Sequence, residues 1–299
     1  MKKRNIIIAL MVIFIIIIVI IVGNLRKIDK KINDNIKIVT SFYPIYIMTL
    51  NITDGIQDIE VSNMAEMHTG CIHDYTLTTS DLKKIENADI FIENGHGIEE
   101  FTDKILESYS DIKVIDSSKN ITNIISDDDE INAHFWTSID NYILQVKEIT
   151  LNLKQLDSKN AEKYEQNCLK YVLKLEDLKK EYSSSSKIKN KKVISLNESF
   201  SYLLQFIELD ETLIESDHEQ STLSAEKMKE IIDKMKKESI DSIIISEEDN
   251  EQNANTIKSE TGANIYKLKD GMSGDNSLDS YINTMKDNLN ILLGMKGIN

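Results

Sequence analysis

The sequence predicts an α/β protein made of two parallel-sheet α/β lobes joined by one long helix, with an N-terminal membrane helix ahead of them. Three observations predict it. Short β-type runs alternate with helical runs over residues 36–115, and the alternation returns over residues 192–293, the rhythm of parallel strands with crossover helices. Between these stretches apolar residues keep a 3–4 spacing from Ile143 to Tyr182, with one break at Asp157-Ser158. In front of everything, residues 6–22 form an apolar run of 17 residues with no polar side chain.

That apolar run lies between the about 7–15 residues of a signal-peptide core and the about 17–25 of a spanning helix. Lys2-Lys3-Arg4 precede it, which favours leaving that end in the cytoplasm. Gly23-Asn24 is a poor cleavage site, and no cysteine follows there to take a lipid. The expectation is an uncleaved signal-anchor over residues 1–24 and a polar, basic tether over residues 25–35. Together they would hold the body on the extracytoplasmic face of the cell membrane. Secretion after signal cleavage is the alternative.

The N-terminal α/β lobe, residues 36–138, opens with a strand at Ile36–Thr40. Ser41-Phe42-Tyr43-Pro44, with the chain's only proline, closes it, and a helical run covers residues 44–51. A second strand is expected at Ile59–Asn63. Residues 80–87 start a helix with Ser80 or Thr79 as N-cap and Leu82 and Ile85 three apart. A strand at Ile90–Glu93, a helix over residues 98–109 and a strand over residues 113–115 follow. Residues 139–187 hold the linker helices. Ile143, Val146, Ile149, Leu153 and Leu156 mark one apolar face; Ala161, Tyr164, Cys168, Tyr171, Leu175, Leu178 and Tyr182 mark the next. That second helix runs for about six turns until four serines at 183–186 stop it. The C-terminal lobe, residues 188–299, carries strands over 192–196, 242–246 and 264–268. Its helices are expected over 198–207, 226–238, 251–261 and 278–293. A crevice between two such lobes, at the strand carboxyl ends, is where a ligand sits.

The 299 residues carry 35 Lys+Arg against 50 Asp+Glu, a net charge of −15. Residues 1–28 hold five of the bases and no acid, so the remainder stands at −20. Such an excess argues against nucleic acid as a partner, since a phosphate backbone needs clustered Lys and Arg. It also raises the local concentration of cations. With 41% hydrophobic residues the chain can pack a sizeable core, and its two cysteines cannot build a disulfide framework.

Five histidines are present: His68, His73, His96, His134 and His218. His73 stands in Cys71-Ile72-His73-Asp74-Tyr75, after the second strand. His134 stands in Asn132-Ala133-His134-Phe135-Trp136, just before the linker helices and beside the only tryptophan. Each ends an α/β unit, which is compatible with convergence on one crevice. On spacing alone, a solvated or structurally bonded loop histidine accounts for each as well. The run Asp127-Asp128-Asp129-Glu130 reads as solvated charge. A metal-dependent hydrolase would need an open coordination position and a general base. His73, His134 and Glu247 could be arranged that way, but no His-Glu-x-x-His or other catalytic constellation occurs. The chain is read as a non-enzyme with no catalytic cofactor.

Taken in order, several segments resemble the zinc/manganese solute-binding (adhesin-B-like) family, the metal-binding receptors of ABC importers. They are Ser41-Phe42-Tyr43-Pro44, His73-Asp74-Tyr75, Asn94-Gly95, His134-Phe135-Trp136, Ser199-Phe200-Ser201-Tyr202 and Glu260-Thr261-Gly262-Ala263. The resemblance spans residues 36–295. It implies two four-stranded parallel lobes joined by one rigid long helix. It also implies a metal held between the lobes by four side chains, typically three His and one Asp or Glu, with Glu replacing the third His in manganese members. Zinc takes four N, O or S ligands in a tetrahedron, while manganese accepts more oxygen. The implied function is capture of Zn²⁺ or Mn²⁺ as transported ligand and delivery to an ABC permease membrane subunit, by a monomer.

By that resemblance His73 and His134 fill the first two ligand positions. The third falls on Asn197, whose carbonyl oxygen is a poor zinc ligand. The fourth falls on Lys269, with Asp270 one residue further on. Three repairs stay open. Asp270 could turn in after a one-residue shift. Glu198 could replace its neighbour Asn197. His218 in its acidic loop, or His68 and Cys71 beside His73, could supply nitrogen or sulfur. Tyr43 and Trp136 are expected to pack around the site, His96 to lie at the surface and Cys168 in the core. The alternative function is a divergent member with a degenerate metal site, acting as a membrane-anchored adhesion, sensory or partner-binding protein.

Overall fold

Two separate sets of β-branched runs pair side by side, and each set makes its own parallel sheet. The structure, a computed structural model, describes residues 35–65, 75–127, 130–182, 188–214 and 223–295. The first lobe holds β1 (Ile36–Thr40), α1 (Tyr43–Thr53), β2 (Ile59–Asn63), α2 (Thr79–Glu86), β3 (Ile90–Glu93), α3 (Glu100–Leu106) and β4 (Lys113–Asp116). Its strands run parallel in the order β2-β1-β3-β4, with Ile38 of β1 level with Val61 and Ile90. A two-stranded antiparallel pair, β5 (Ser126–Asp127) and β6 (Glu130–Ile131), leads to the linker helices α4 (Ile139–Leu156) and α5 (Ala161–Tyr182). The second lobe holds β7 (Lys192–Ser195), α6 (Ser201–Phe206), β8 (Asp210–Leu213), α7 (Ala225–Glu238), β9 (Ser242–Ser246), α8 (Gln252–Thr261), β10 (Asn264–Leu268) and α9 (Ser280–Leu293). Its parallel order is β10-β9-β7-β8.

The helical faces read from spacing are the buried faces. Ile143, Val146, Ile149 and Leu153 of α4 and Tyr164, Cys168, Tyr171, Leu175, Leu178 and Tyr182 of α5 are buried; Leu156, the last residue of α4, is exposed. These two helices pack on each other and on α1. One apolar core runs from Ile38 through α5 to Leu292 of α9, and a smaller one around Ile194, Ile231, Ile243 and Ile257 fills the second lobe. Burial of such faces is the main favourable term holding the fold.

Three local expectations change. The N-cap of α2 is Thr78 rather than Ser80 or Thr79. The Thr78 hydroxyl accepts the Asp81 N–H at 3.2 Å, and the Asp81 carboxylate accepts the Thr78 N–H at 2.8 Å, a reciprocal capping box. The helix expected over 198–207 is a 3₁₀ turn at Glu198–Phe200 followed by α6, because the Asn197 side chain caps the turn. Strand β8 and the β5–β6 pair were not foreseen. The N-terminal membrane helix (1–24) and tether residues 25–34 lie outside the described residues. Among the described residues no helix is long and apolar enough to cross a membrane.

Candidate metal centre

Parallel strands present their carboxyl ends on one side of a sheet, so the loops after them carry the site side chains. Ser41 follows β1, Asn94 follows β3, Asn197 lies just past β7, residues 247–249 follow β9, and Asp270 lies just past β10. The lobes touch there. Asn132 Nδ2 donates to the Glu198 carbonyl at 2.8 Å, the Tyr202 hydroxyl to the Asn132 carbonyl at 2.8 Å, and Trp136 Nε1 to the Asp270 carbonyl at 2.8 Å.

His134 is buried at the entry to the 3₁₀ turn Phe135–Thr137. Its Nδ1 lies 3.0 Å from Asn132 Oδ1 and 3.9 Å from Glu198 Oε1, and its ring lies 5.1 Å from that of Trp136. A second polar layer steadies this segment. Glu99 accepts the Ser41 hydroxyl at 2.7 Å and the Asn94 and Gly95 N–H groups at 2.6 and 3.0 Å. Asn94 Nδ2 in turn donates to the Ala133 carbonyl at 3.0 Å, one residue before His134. Gly95 is required at this turn: its φ is +92°, and a Cβ there would fall 2.1 Å from Asp116 Oδ1. Burial, then the charge of Glu93, pushes the Glu99 carboxyl up to about 8.

Across the crevice, the position after β10 divides between two residues. Lys269 is drawn to α9: its ammonium meets Asp287 at 2.6 Å, and its backbone N–H and C=O bond Asn288 at 2.9 and 2.8 Å. The next side chain, Asp270, is half-buried, and its Oδ1 accepts the Met272 N–H at 2.9 Å. Burial pushes Asp270 up to about 6, with the charges of Glu248 and Asp249 adding to it.

Asn197 is bonded at both ends of its amide. Its Oδ1 accepts the Ser199 N–H at 3.0 Å and the Ser199 hydroxyl at 2.6 Å, so that oxygen is turned into its own 3₁₀ turn. Its Nδ2 donates to both carboxylate oxygens of Asp249, at 3.1 and 3.3 Å, and Asp249 also accepts the Ser246 N–H at 2.7 Å. Burial raises the Asp249 carboxyl above its ordinary range. Asp249, Asn132 and Glu99 were missed in the sequence; for Asp249 the available signal was an acidic run, Glu247-Glu248-Asp249, at the end of a buried strand.

His68, Cys71 and His73 fall in residues 66–74, and His218 in residues 215–222, all outside the described residues. Among the described residues no group of three or more His, Cys, Asp or Glu is arranged to hold a metal. Those residues bring His134 beside Glu198 and connect it through Trp136 to Asp270. Tyr43 is held at the start of α9 and the loop before it, its hydroxyl 2.9 Å from Ser280 Oγ and accepting the Asn276 N–H at 3.0 Å. His96 is exposed, with Nδ1 2.7 Å from Ser118 Oγ. Cys168 is buried in the core, which pushes its thiol up. Glu247 is exposed.

Two parallel sheets bridged by a long helix, with polar side chains gathered where the strand ends meet, define a two-lobed solute-binding protein. The family model for ZnuA, zinc-uptake complex component A periplasmic, matches residues 38–294, and the chain belongs to that family. It is 28% identical over 283 residues to the high-affinity zinc uptake system protein ZnuA of Bacillus subtilis, covering 87% of each chain. It is also similar to the solute-binding protein FpvC of Pseudomonas aeruginosa in complex with Mn²⁺, with a TM-score of 0.77 and 25% identity over 87% of this chain and 97% of that one. Zn(II)-bound AdcA of Streptococcus pneumoniae superposes with a TM-score of 0.75 and 25% identity, covering 88% of this chain and 59% of the longer AdcA chain.

Proposed function

We propose that the chain is an extracytoplasmic receptor that captures Zn²⁺ or Mn²⁺ between its lobes and delivers it to an ABC importer permease. The carrying observation is that Trp136 spans the lobes between the two candidate ligands: its ring lies 5.1 Å from that of His134, and its Nε1 donates to the backbone carbonyl of Asp270 at 2.8 Å. His134 and Asp270 supply two ligands, and His73 is assigned the third from its family position. The fourth position falls to Glu198 or to His218. Asn197 orients Asp249 instead of ligating. The charge of −20 beyond residue 28 draws cations towards the crevice. The ion is cargo, not a catalytic cofactor.

The family description, the name of the Bacillus subtilis relative and the metals in the FpvC and AdcA structures support this reading, and they do not favour the adhesion or sensory alternative. The protein acts as a monomer held at the extracytoplasmic face of the cell membrane by residues 1–24. Calorimetric titration of the full chain in detergent micelles with Zn²⁺ and Mn²⁺ tests the reading. Affinity tighter than micromolar is expected, reduced about tenfold or more by His73→Ala, His134→Ala or Asp270→Ala. Binding weaker than micromolar, or indifferent to all three substitutions, overturns it.

A further inference from the structure

We propose that Asn132 is a positioning residue whose side-chain amide, oriented by a carbonyl of the opposite lobe, fixes which nitrogen of His134 is offered to an incoming ion. The consequence for metal capture rests on the receptor reading above; the geometry does not. An amide can exchange its two ends by a half-turn, so its orientation is argued from its partners. Here two partners decide it independently. Asn132 Nδ2 lies 2.8 Å from the Glu198 carbonyl oxygen, which can only accept. Asn132 Oδ1 lies 3.0 Å from the His134 backbone nitrogen, which can only donate. A flipped amide would set donor against donor at one end and acceptor against acceptor at the other.

With the orientation fixed, Oδ1 also faces His134 Nδ1 at 3.0 Å. An acceptor at that distance places the ring hydrogen on Nδ1. A neutral imidazole carries one ring hydrogen, so Nε2 holds the lone pair and is the nitrogen able to bind a cation. The second lobe grips Asn132 twice, because the Tyr202 hydroxyl donates to its backbone carbonyl at 2.8 Å. Asn132 itself is 7% exposed, so water does not compete for these bonds. A neutral histidine without such a partner favours the opposite tautomer, with its hydrogen on Nε2, and would have to rearrange before it could ligate.

The test is ¹⁵N NMR of the full chain in detergent micelles, labelled at its histidines, metal-free and at a pH where the rings are neutral. Wild-type His134 is expected to show a protonated Nδ1 and an unprotonated Nε2. Asn132→Ala is expected to move the ring shifts to mixed tautomers and to weaken Zn²⁺ binding about 10–100-fold. Asn132→Asp keeps an acceptor opposite Nδ1, so it is expected to keep the Nδ1–H signature and recover most of that affinity. This variant also carries the test should the alanine chain not fold. An unprotonated Nδ1 in the wild type or in Asn132→Asp, or unchanged ring shifts in a folded Asn132→Ala chain, overturns the proposal. Expected shifts in a wild-type chain that binds no Zn²⁺ would instead overturn the receptor reading.

Discussion

Glu99 gathers three donors around one carboxyl at the base of the crevice, fully withdrawn from solvent. Those bonds favour its charged form, yet burial and the charge of Glu93 outweigh them and raise it to about 8, far above the ordinary 4.5. The unfolded chain therefore releases this proton near 4.5, while the native chain keeps it to about 8. Between those values the native state binds more protons, so the contribution is fully present below the lower value and is lost as pH rises through the higher one. Glu99→Gln has no proton to release. Denaturant midpoints between pH about 5 and about 8 should show the wild type losing on the order of a few kcal/mol relative to the variant; parallel curves for the two chains would refute this. Such relations also mark the limit of what was readable at this scale. Residue type and order pointed to His134. The Glu99 bond to Ser41 spans 58 positions and the Asn197 bond to Asp249 spans 52, and no local pattern encodes either.

On α5 neighbouring leucines separate the effects of propensity and burial. Leu175 is 0% exposed in the shared core, whereas Leu173, half a turn away, is 66% exposed. Leu175→Ala should cost about 2–5 kcal/mol in a urea titration, because a cavity opens among packed neighbours. Leu173→Ala should stay within about 0.5 kcal/mol. Equal losses would mean the helix face is wrongly assigned. That face was legible because 3–4 spacing reports burial directly. The start of α2 was not, since Thr78, Thr79 and Ser80 are all competent caps. The deciding contact is Asp81 reaching back three positions to Thr78. Strand β8, Asp-Glu-Thr-Leu, pairs only with β7 at the sheet edge and is half-exposed, so it lacks the apolar run that marked β9.

Between the lobes, α9 packs on β10 of the second sheet yet is bonded into the first lobe. Tyr281 stacks on Tyr142 with centroids 3.5 Å apart and an interplanar angle of 11°, and its hydroxyl donates to the Trp136 carbonyl at 2.8 Å. Tyr142 and Tyr171 share a hydrogen bond of 2.9 Å, and Asn51 Nδ2 donates to the Leu278 carbonyl at 2.9 Å. Wide separation of the lobes would break the Tyr281 and Asn51 contacts and open the core that runs from β1 to α9. The lobes should therefore unfold together, although each has its own sheet. Trp136 is the single tryptophan and sits where the lobes meet, so its fluorescence reports the interface while far-UV circular dichroism reports the helices. The two signals should trace one coincident urea transition. Tyr281→Ala should lower both midpoints together, by about 3–5 kcal/mol. A fluorescence change that precedes helix loss, in either chain, would show that the interface opens before the lobes unfold and that the shared core does not bind them into one cooperative unit.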